Sequence, residues 1–322
     1  MRFVSIASGS SGNCIYTGTE ESHILIDAGI SAKRIEQGLN EVGLKTSELD
    51  GICITHEHSD HVKGLGVLAR KYEVPIYATE GTLNEIKNIK GLGEYPEELL
   101  HPILPDTEFA LGDLTVKPFH IDHDAADPVA YRIQSGNKSV AVATDLGHFN
   151  QYTVDHLLDL DAVLLESNHD LRMLETGPYP YYLKRRIMGN FGHLSNENAG
   201  RLLNCILSGR LKHILLGHLS KENNIPELAY ETVRLEIDMG DCPYHADDFH
   251  LAVAKRDEMS DQPVVRENVP AYSGVPRIVR NFQFGKFLSV YSNSLTSLRW
   301  CILKKACILW DVMIYFKKIF ML

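Results

Sequence analysis

Residues 55–61 read Thr55-His56-Glu57-His58-Ser59-Asp60-His61, which places His56, His58, Asp60 and His61 within six positions. Imidazoles and carboxylates together are ligands for hard or borderline divalent cations. Three imidazoles and a carboxylate are too many for one ion to take from a single loop. They suit two ions about 3.5–4 Å apart that share a hydroxide. A helical metalloprotease motif fits poorly, because it needs two His four apart with Glu beside the first, and His56 and His58 are two apart. The spacing asks for a loop running into a helix.

Such a loop needs a rigid element before it. Gly51-Ile52-Cys53-Ile54 is short, apolar and β-prone, so it reads as a buried strand. The ligands then sit at a strand's carboxyl end, where open sheets place their active sites. Asp27, Asp145 and His218 each follow an apolar run of the same kind, so each is delivered to the same sheet edge. Asp27 also fits a helix N-cap for a segment starting near Ser31, Asp145 a turn and His218 an ordinary loop. Strands are predicted at 2–7, 13–18, 23–27, 51–54, 108–119, 129–135, 138–144, 161–165, 213–216 and 249–254. Helices are predicted near 31–42, 62–72, 80–90, 150–158, 195–208 and 225–238. Cys53, on the strand before the metal loop, reads as core.

The string His56-x-His58-x-Asp60-His61 resembles the H-x-H-x-D-H signature of the metallo-β-lactamase superfamily. Asp27, His123, Asp145 and His218 follow in the order of that superfamily's other motifs, over about the first 255 residues. The resemblance implies an α/β fold, a four-layer αβ/βα sandwich. It also implies that His56, His58 and His123 hold a first metal and Asp60, His61 and His218 a second. Asp145 would bridge them, and Asp27 would orient ligands from behind. His120 lies three residues from His123 and is the competing candidate. Zn suits this donor set, and Mn or Fe also fits.

Three further strings narrow the resemblance. They are Ser8-Gly9-Ser10-Ser11-Gly12-Asn13, His123-Asp124-Ala125-Ala126-Asp127-Pro128 and Leu165-Glu166-Ser167-Asn168-His169-Asp170. They are similar to the YycJ (WalJ) family of bacterial metallo-hydrolases, which implies 5′→3′ exonuclease activity on DNA. Gly192-His193-Leu194-Ser195 repeats the Gly217-His218-Leu219-Ser220 string. It resembles the His-Ser-Thr element of the tRNA-processing nucleases, in which the His touches the scissile phosphate. Ser195 would cap a helix, whose N-terminus attracts phosphate, and a protonated His193 would stabilise the leaving oxygen. The expected catalytic residues are therefore Asp60, Asp145 and His193, with His193, Ser195, Asn168 and Ser220 on the substrate. His193 alternatively only supports the cap, and Asp170 alternatively starts a helix. The glycine-rich opening lacks the Gly-Lys-Ser/Thr ending of a P-loop, so no nucleotide cofactor is expected; it reads as a tight turn.

Across 322 residues the formal charge is −10. From Ser260 onward nine Lys and Arg face three Asp and Glu, so residues 1–259 carry −16. A nonspecific duplex binder would present a basic face. Two divalent ions restore about four positive charges at the site, and Arg172, Lys184, Arg185, Arg186 and Lys221 offer a local rim or a solvated face. The expected partner is thus the single-stranded end of a DNA chain. The competing enzymes are a phosphodiesterase for small molecules or cyclic nucleotides, or a thioesterase or lactonase on the same metals; a binding module without catalysis is a third class. No signal leader is apparent and the six cysteines form no close pair, so a cytoplasmic protein is expected. Residues 1–259 read as the hydrolase domain and 260–276 as a linker. Residues 277–322 read as a basic, apolar tail, either a run-on end or a segment lying on a membrane surface.

Overall fold

A computed structural model of the chain describes residues 1–260 and 265, which belong to one compact unit, Met1–Asn268. The tail at 277–322 lies outside the described residues, as does the expected linker apart from Ser260 and Val265. Among the described residues, no helix is long and apolar enough to cross a membrane.

The first sheet has six strands in chain order: β1 (Arg2–Ala7), β2 (Cys14–Gly18), β3 (His23–Ile26), β4 (Gly51–Cys53), β5 (Ile76–Thr79) and β6 (Leu100–Ile103). β1 to β3 form an antiparallel meander, and β3 to β6 are parallel. Its helices are α1 (Ala32–Glu41), α2 (Ser59–Val62), α3 (Leu65–Tyr72) and α4 (Glu80–Asn88). The second sheet has seven strands: β7 (Phe109–Leu111), β8 (Leu114–His120), β9 (Val129–Ser135), β10 (Lys138–Ala143), β11 (Ala162–Glu166), β12 (His213–Gly217) and β13 (His250–Val253). Here β7 to β10 are antiparallel and β10 to β13 parallel. Its helices are α5 (Gln151–Leu157), α6 (Leu171–Thr176), α7 (Tyr181–Ile187), α8 (Asn196–Ile206) and α9 (Pro226–Met239).

Strand alternation divides the apolar side chains among three buried layers. Phe3, Ile24 and Ile26 point inward and pack with Tyr131, Val140, Val142 and Leu164 of the second sheet. Their neighbours Val4 and Leu25 point outward onto Ile35, Leu39, Leu68 and Ile86 of the first helical layer. Ala141, Val163 and Leu165 pack outward with Leu202, Leu203, Val233 and Ile237 of the second. The result is helix, sheet, sheet, helix, as the resemblance implied. Because both faces of the central strands are buried, they read as continuous apolar runs rather than alternating ones. Cys53 lies in the layer between the sheets.

The sequence reading differs at four places. The run 108–119 is a hairpin, β7 and β8, turning at Gly112 with φ +59, a left-handed conformation that favours glycine. β5 follows Pro75 and is only four residues long, and β6 contains Pro102 at the sheet edge, so neither carried a strand signal. The predicted helix 62–72 is split into α2 and α3. α6 and α7 were missed because α6 buries only Leu174 and α7 buries no residue, so neither has the apolar stripe by which a helix is recognised.

Candidate metal centre

The parallel strands of both sheets deliver their carboxyl ends to one place. Asp27 follows β3, residues 55–61 follow β4, Asp145 follows β10, Glu166 ends β11 and His218 follows β12. Asp27, Asp145 and His218 have φ of +64, +60 and +55. Left-handed backbone at non-glycine residues is costly and concentrates at functional sites. Here it turns each chain sharply off its strand so that the side chain points across the sheet ends. Gly29 permits a second close approach: a Cβ there would lie 1.6 Å from the carbonyl oxygen of Asp60.

The donors fall into groups. His56, His58 and His123 converge, as do Asp60, His61 and His218; Asp145 joins His56 and His61, and also Glu166, His193 and His218; within each group the ligand atoms lie within 4.8 Å of one another. His56 Nε2 is 3.1 Å from His58 Nδ1, and His123 Nε2 is 3.3 Å from that same nitrogen. Asp60 Oδ2 lies 3.2 Å from His218 Nε2 and 3.4 Å from His61 Nε2. His123 is brought in, whereas His120 is exposed and faces Asp127 at 3.5 Å.

The imidazoles are held from behind. His61 Nδ1 donates to Asp27 Oδ2 at 2.7 Å, and His123 Nδ1 to the Gly192 carbonyl at 3.1 Å. His218 Nδ1 and His193 Nδ1 donate to the same Glu166 Oε1, at 2.9 and 2.8 Å. The Thr55 hydroxyl donates to Asp27 and accepts from His56 Nδ1 at 3.0 Å. Each such bond fixes the tautomer and turns Nε2 toward the centre, the usual support for a metal-bound histidine.

These residues fit divalent cations. Asp145 Oδ2 is buried and accepts no hydrogen bond, although His61 Nε2 is 3.2 Å away. An unsatisfied buried carboxylate oxygen among converging imidazoles is costly unless a cation meets it. Burial, and then the charge of His61, push His56 well below its ordinary value. Burial likewise lowers His123. Both are therefore neutral and have lone pairs to give. Burial opposes ionisation of Asp145, but His218 and His61 hold its carboxyl well below the usual range. Burial opposes the charging of His218, yet Asp145, Asp60 and Glu166 raise it to about 10. The carboxylates thus demand positive charge here, which protons supply when cations do not.

His193 is the most open of these histidines apart from His58, with 21% of its side chain exposed. It stands on the wall of a cleft of about 320 Å³, alongside Asp60, Asp145, His218, Ser10 and Ser220. Burial opposes its protonation, but Glu166 raises its pKa. Ser195 caps α8, its hydroxyl accepting from the Asn198 N–H. Asn168 is buried and donates to the His218 carbonyl at 2.9 Å, so it braces the loop as well as lining the cleft. Asp170 caps α6, the helix-start alternative. Lys184, Arg185 and Arg186 lie on α7 and Arg172 on α6; of these, Arg186 lines the cleft.

Sequence reasoning missed the roles of Glu166 and Thr55. Glu166 accepts from His193, His218 and the N–H groups of Leu146 and Leu194. Its signal was present, since it ends an apolar strand just as Asp27 and Asp145 follow theirs. What the sequence did not show is its partners, which lie 27 and 52 residues away.

The Beta-lactamase superfamily domain matches residues 22–214. Exodeoxyribonuclease YycJ of Bacillus anthracis is 40% identical over 233 residues, 72% of this chain and 88% of that protein. Exodeoxyribonuclease WalJ of Streptococcus pneumoniae is 43% identical over 228 residues, 71% of this chain and 85% of that protein. Among solved structures, Zn(2+)-bound PqqB from Methylobacterium extorquens aligns with a TM-score of 0.59 at 17% identity. That alignment covers 81% of this chain and 100% of the other, a likeness of fold alone.

Proposed function

The chain belongs to the metallo-β-lactamase superfamily, among the relatives of YycJ and WalJ, and from that premise we propose that it is a metal-dependent exodeoxyribonuclease. It removes nucleotides from the 5′ end of a DNA single strand. Relatives at 40% and 43% identity, matched over most of their length, support the nuclease class. The observation that carries the chemistry is that His193 lines one cleft with His58, His123, Asp60 and His218 of the two three-donor groups, and stands in a further donor group with Asp145, Glu166 and His218.

His56, His58 and His123 would hold one ion and Asp60, His61 and His218 a second, and Asp145 would serve as a shared ligand. Zn suits the histidine-rich set, and Mn and Fe also fit. When bound, the ions supply Lewis acidity at the scissile phosphate and activate the attacking water. His193 donates the proton on Nε2 to the leaving deoxyribose oxygen, and Glu166, accepting from Nδ1, favours the protonated ring. Ser220 and Ser10 line the same cleft and offer hydroxyls to the strand.

The test is cleavage of 5′-labelled and 3′-labelled single-stranded and duplex DNA by metal-loaded protein, by chelated protein and by Asp145→Ala. Mononucleotide release from the 5′ end, lost in both controls, is the expected result. Turnover of bis-p-nitrophenyl phosphate with no cleavage of any DNA would instead assign the site to small phosphodiesters.

A further inference from the structure

α7 is a helix that the hydrophobic core does not need. It buries no residue, and Tyr181 and Tyr182 on it are each 74% exposed. Phe191, just beyond it, is 58% exposed. Among the described residues these three are the exposed large aromatics, gathered in one segment of eleven positions. Apolar rings left in water in one place mark a binding surface. The same helix carries Lys184, Arg185 and Arg186 and no acidic residue, on a chain of net charge −10.

The segment is tied to the metal centre. His193 N–H donates to the Ile187 carbonyl at 2.9 Å, and Asp124 N–H to the Phe191 carbonyl at 3.2 Å. The Gly192 carbonyl accepts from His123 Nδ1. A Cβ on Gly192 would lie 2.1 Å from the Ile187 carbonyl oxygen, so the helix end and the His193 turn meet backbone to backbone. Arg186 pairs with Asp124. The inner face of the segment, Tyr179, Leu183, Arg186 and Ile187, lines the cleft, which leaves Tyr181, Tyr182 and Arg185 outward.

We infer that α7 and Phe191 form a stacking shelf for the DNA single strand as it leaves the cleft, an inference that rests on the nuclease reading above. Ring faces stack on any base that is splayed from its partner, and neighbouring cations follow the backbone. A duplex keeps its bases inside and asks for a wider basic face than three cations give. The shelf therefore selects a single strand and resolves how an acidic protein grips DNA.

The test uses the full chain, metal-loaded, with three substrates: a single strand of about twenty thymidylates, a dinucleotide and bis-p-nitrophenyl phosphate. The Tyr181→Ala/Tyr182→Ala variant should raise KM for the long strand at least about ten-fold, with both short substrates turned over as before. Tyr181→Phe/Tyr182→Phe, which keeps the rings, should restore the wild-type KM. An unchanged KM for the long strand in the alanine variant overturns the shelf and leaves the nuclease reading standing. A parallel loss on the short substrates also overturns it, because the residues then support the centre instead. Wild-type protein that cleaves bis-p-nitrophenyl phosphate but no DNA overturns the nuclease reading and the shelf with it.

Discussion

The tetrapeptide Gly-His-Leu-Ser occurs at 192–195 and at 217–220, and the two copies end in different environments around one carboxylate. Each histidine donates Nδ1 to Glu166 Oε1. His218 follows β12 in a left-handed conformation and is buried, with Nε2 3.2 Å from Asp60 Oδ2. His193 precedes α8 and keeps a fifth of its side chain exposed to the cleft. What separates them is the element on which each is mounted. A strand end pins the ring among the donors, whereas a helix start holds it on the wall. Identical local sequence therefore supports two proposed tasks, one ligand and one proton donor.

The sharpest way to break this comparison is to remove each imidazole in turn. His218→Ala should lose one of the two bound ions and cut turnover by about 10³-fold or more. His193→Ala should keep both ions and cut DNA turnover by about 10²–10⁴-fold, the range for a positioned general acid. Metal content by mass spectrometry beside turnover separates the two. A p-nitrophenyl ester sharpens the contrast, since its leaving group needs no proton and should largely spare His193→Ala. Metal loss in His193→Ala would show that both copies do the same job.

A change at the shared carboxylate should strike both copies at once. Glu166→Gln removes the charge that orients two imidazoles and offers an amide N–H₂ where donors already converge. Metal affinity should fall about 10–100-fold, read by chelator competition. His193 should lose the support that raises its pKa, so the alkaline limb of kcat against pH, where the proton donor is lost, moves to lower pH. An effect on metal affinity alone would mean that His193 does not depend on Glu166.

These residues also show what the sequence could and could not disclose. His56, His58, Asp60 and His61 were legible because four donors crowd one loop, and Asp27, Asp145 and His218 because each follows a strand whose two faces are both buried. The four layers followed from the resemblance that these motifs carry, which the alternation of strand-like and helix-like segments suits. Glu166 was not, because its partners lie 27 and 52 residues away and only folding brings them to it. α7 was not, because a helix that buries nothing has no periodicity to read.

β11 supplies a control for Glu166 at its other end. Asp161 sits just before the strand, and it accepts from Lys138 Nζ at 3.0 Å, Ser139 N–H at 2.9 Å and Arg210 Nη2 at 2.8 Å. Burial raises its pKa, but Arg210, Ser139 and Lys138 outweigh that and hold the carboxyl below its usual range. A carboxyl lowered on folding contributes stability above its unfolded value of about 3.9 and loses it as pH falls through the folded value. Asp161→Asn should therefore cost about 2 kcal/mol near neutral pH and flatten the acid side of the stability profile. Denaturant midpoints across pH check this, and metal affinity should not move. A fall in metal affinity would mean that the two ends of β11 are coupled.

The smallest expected effect returns to the last residue of each copy. Ser195 accepts from the Asn198 N–H and caps α8, while Ser220 accepts from the Asn223 N–H in a loop. A lost N-cap costs about 1 kcal/mol, so Ser195→Ala should lower stability by that amount. A loop serine caps no helix, so Ser220→Ala should cost less. Ser195 caps a helix and does not line the cleft, so KM for DNA should stay within about two-fold in Ser195→Ala, because 1 kcal/mol of global stability leaves nearly all molecules folded. Ser220 lines the cleft, so Ser220→Ala should raise KM by more than that. A larger KM rise in Ser195→Ala at unchanged metal content would place that hydroxyl on the substrate as well, and an unchanged KM in Ser220→Ala would remove Ser220 from it.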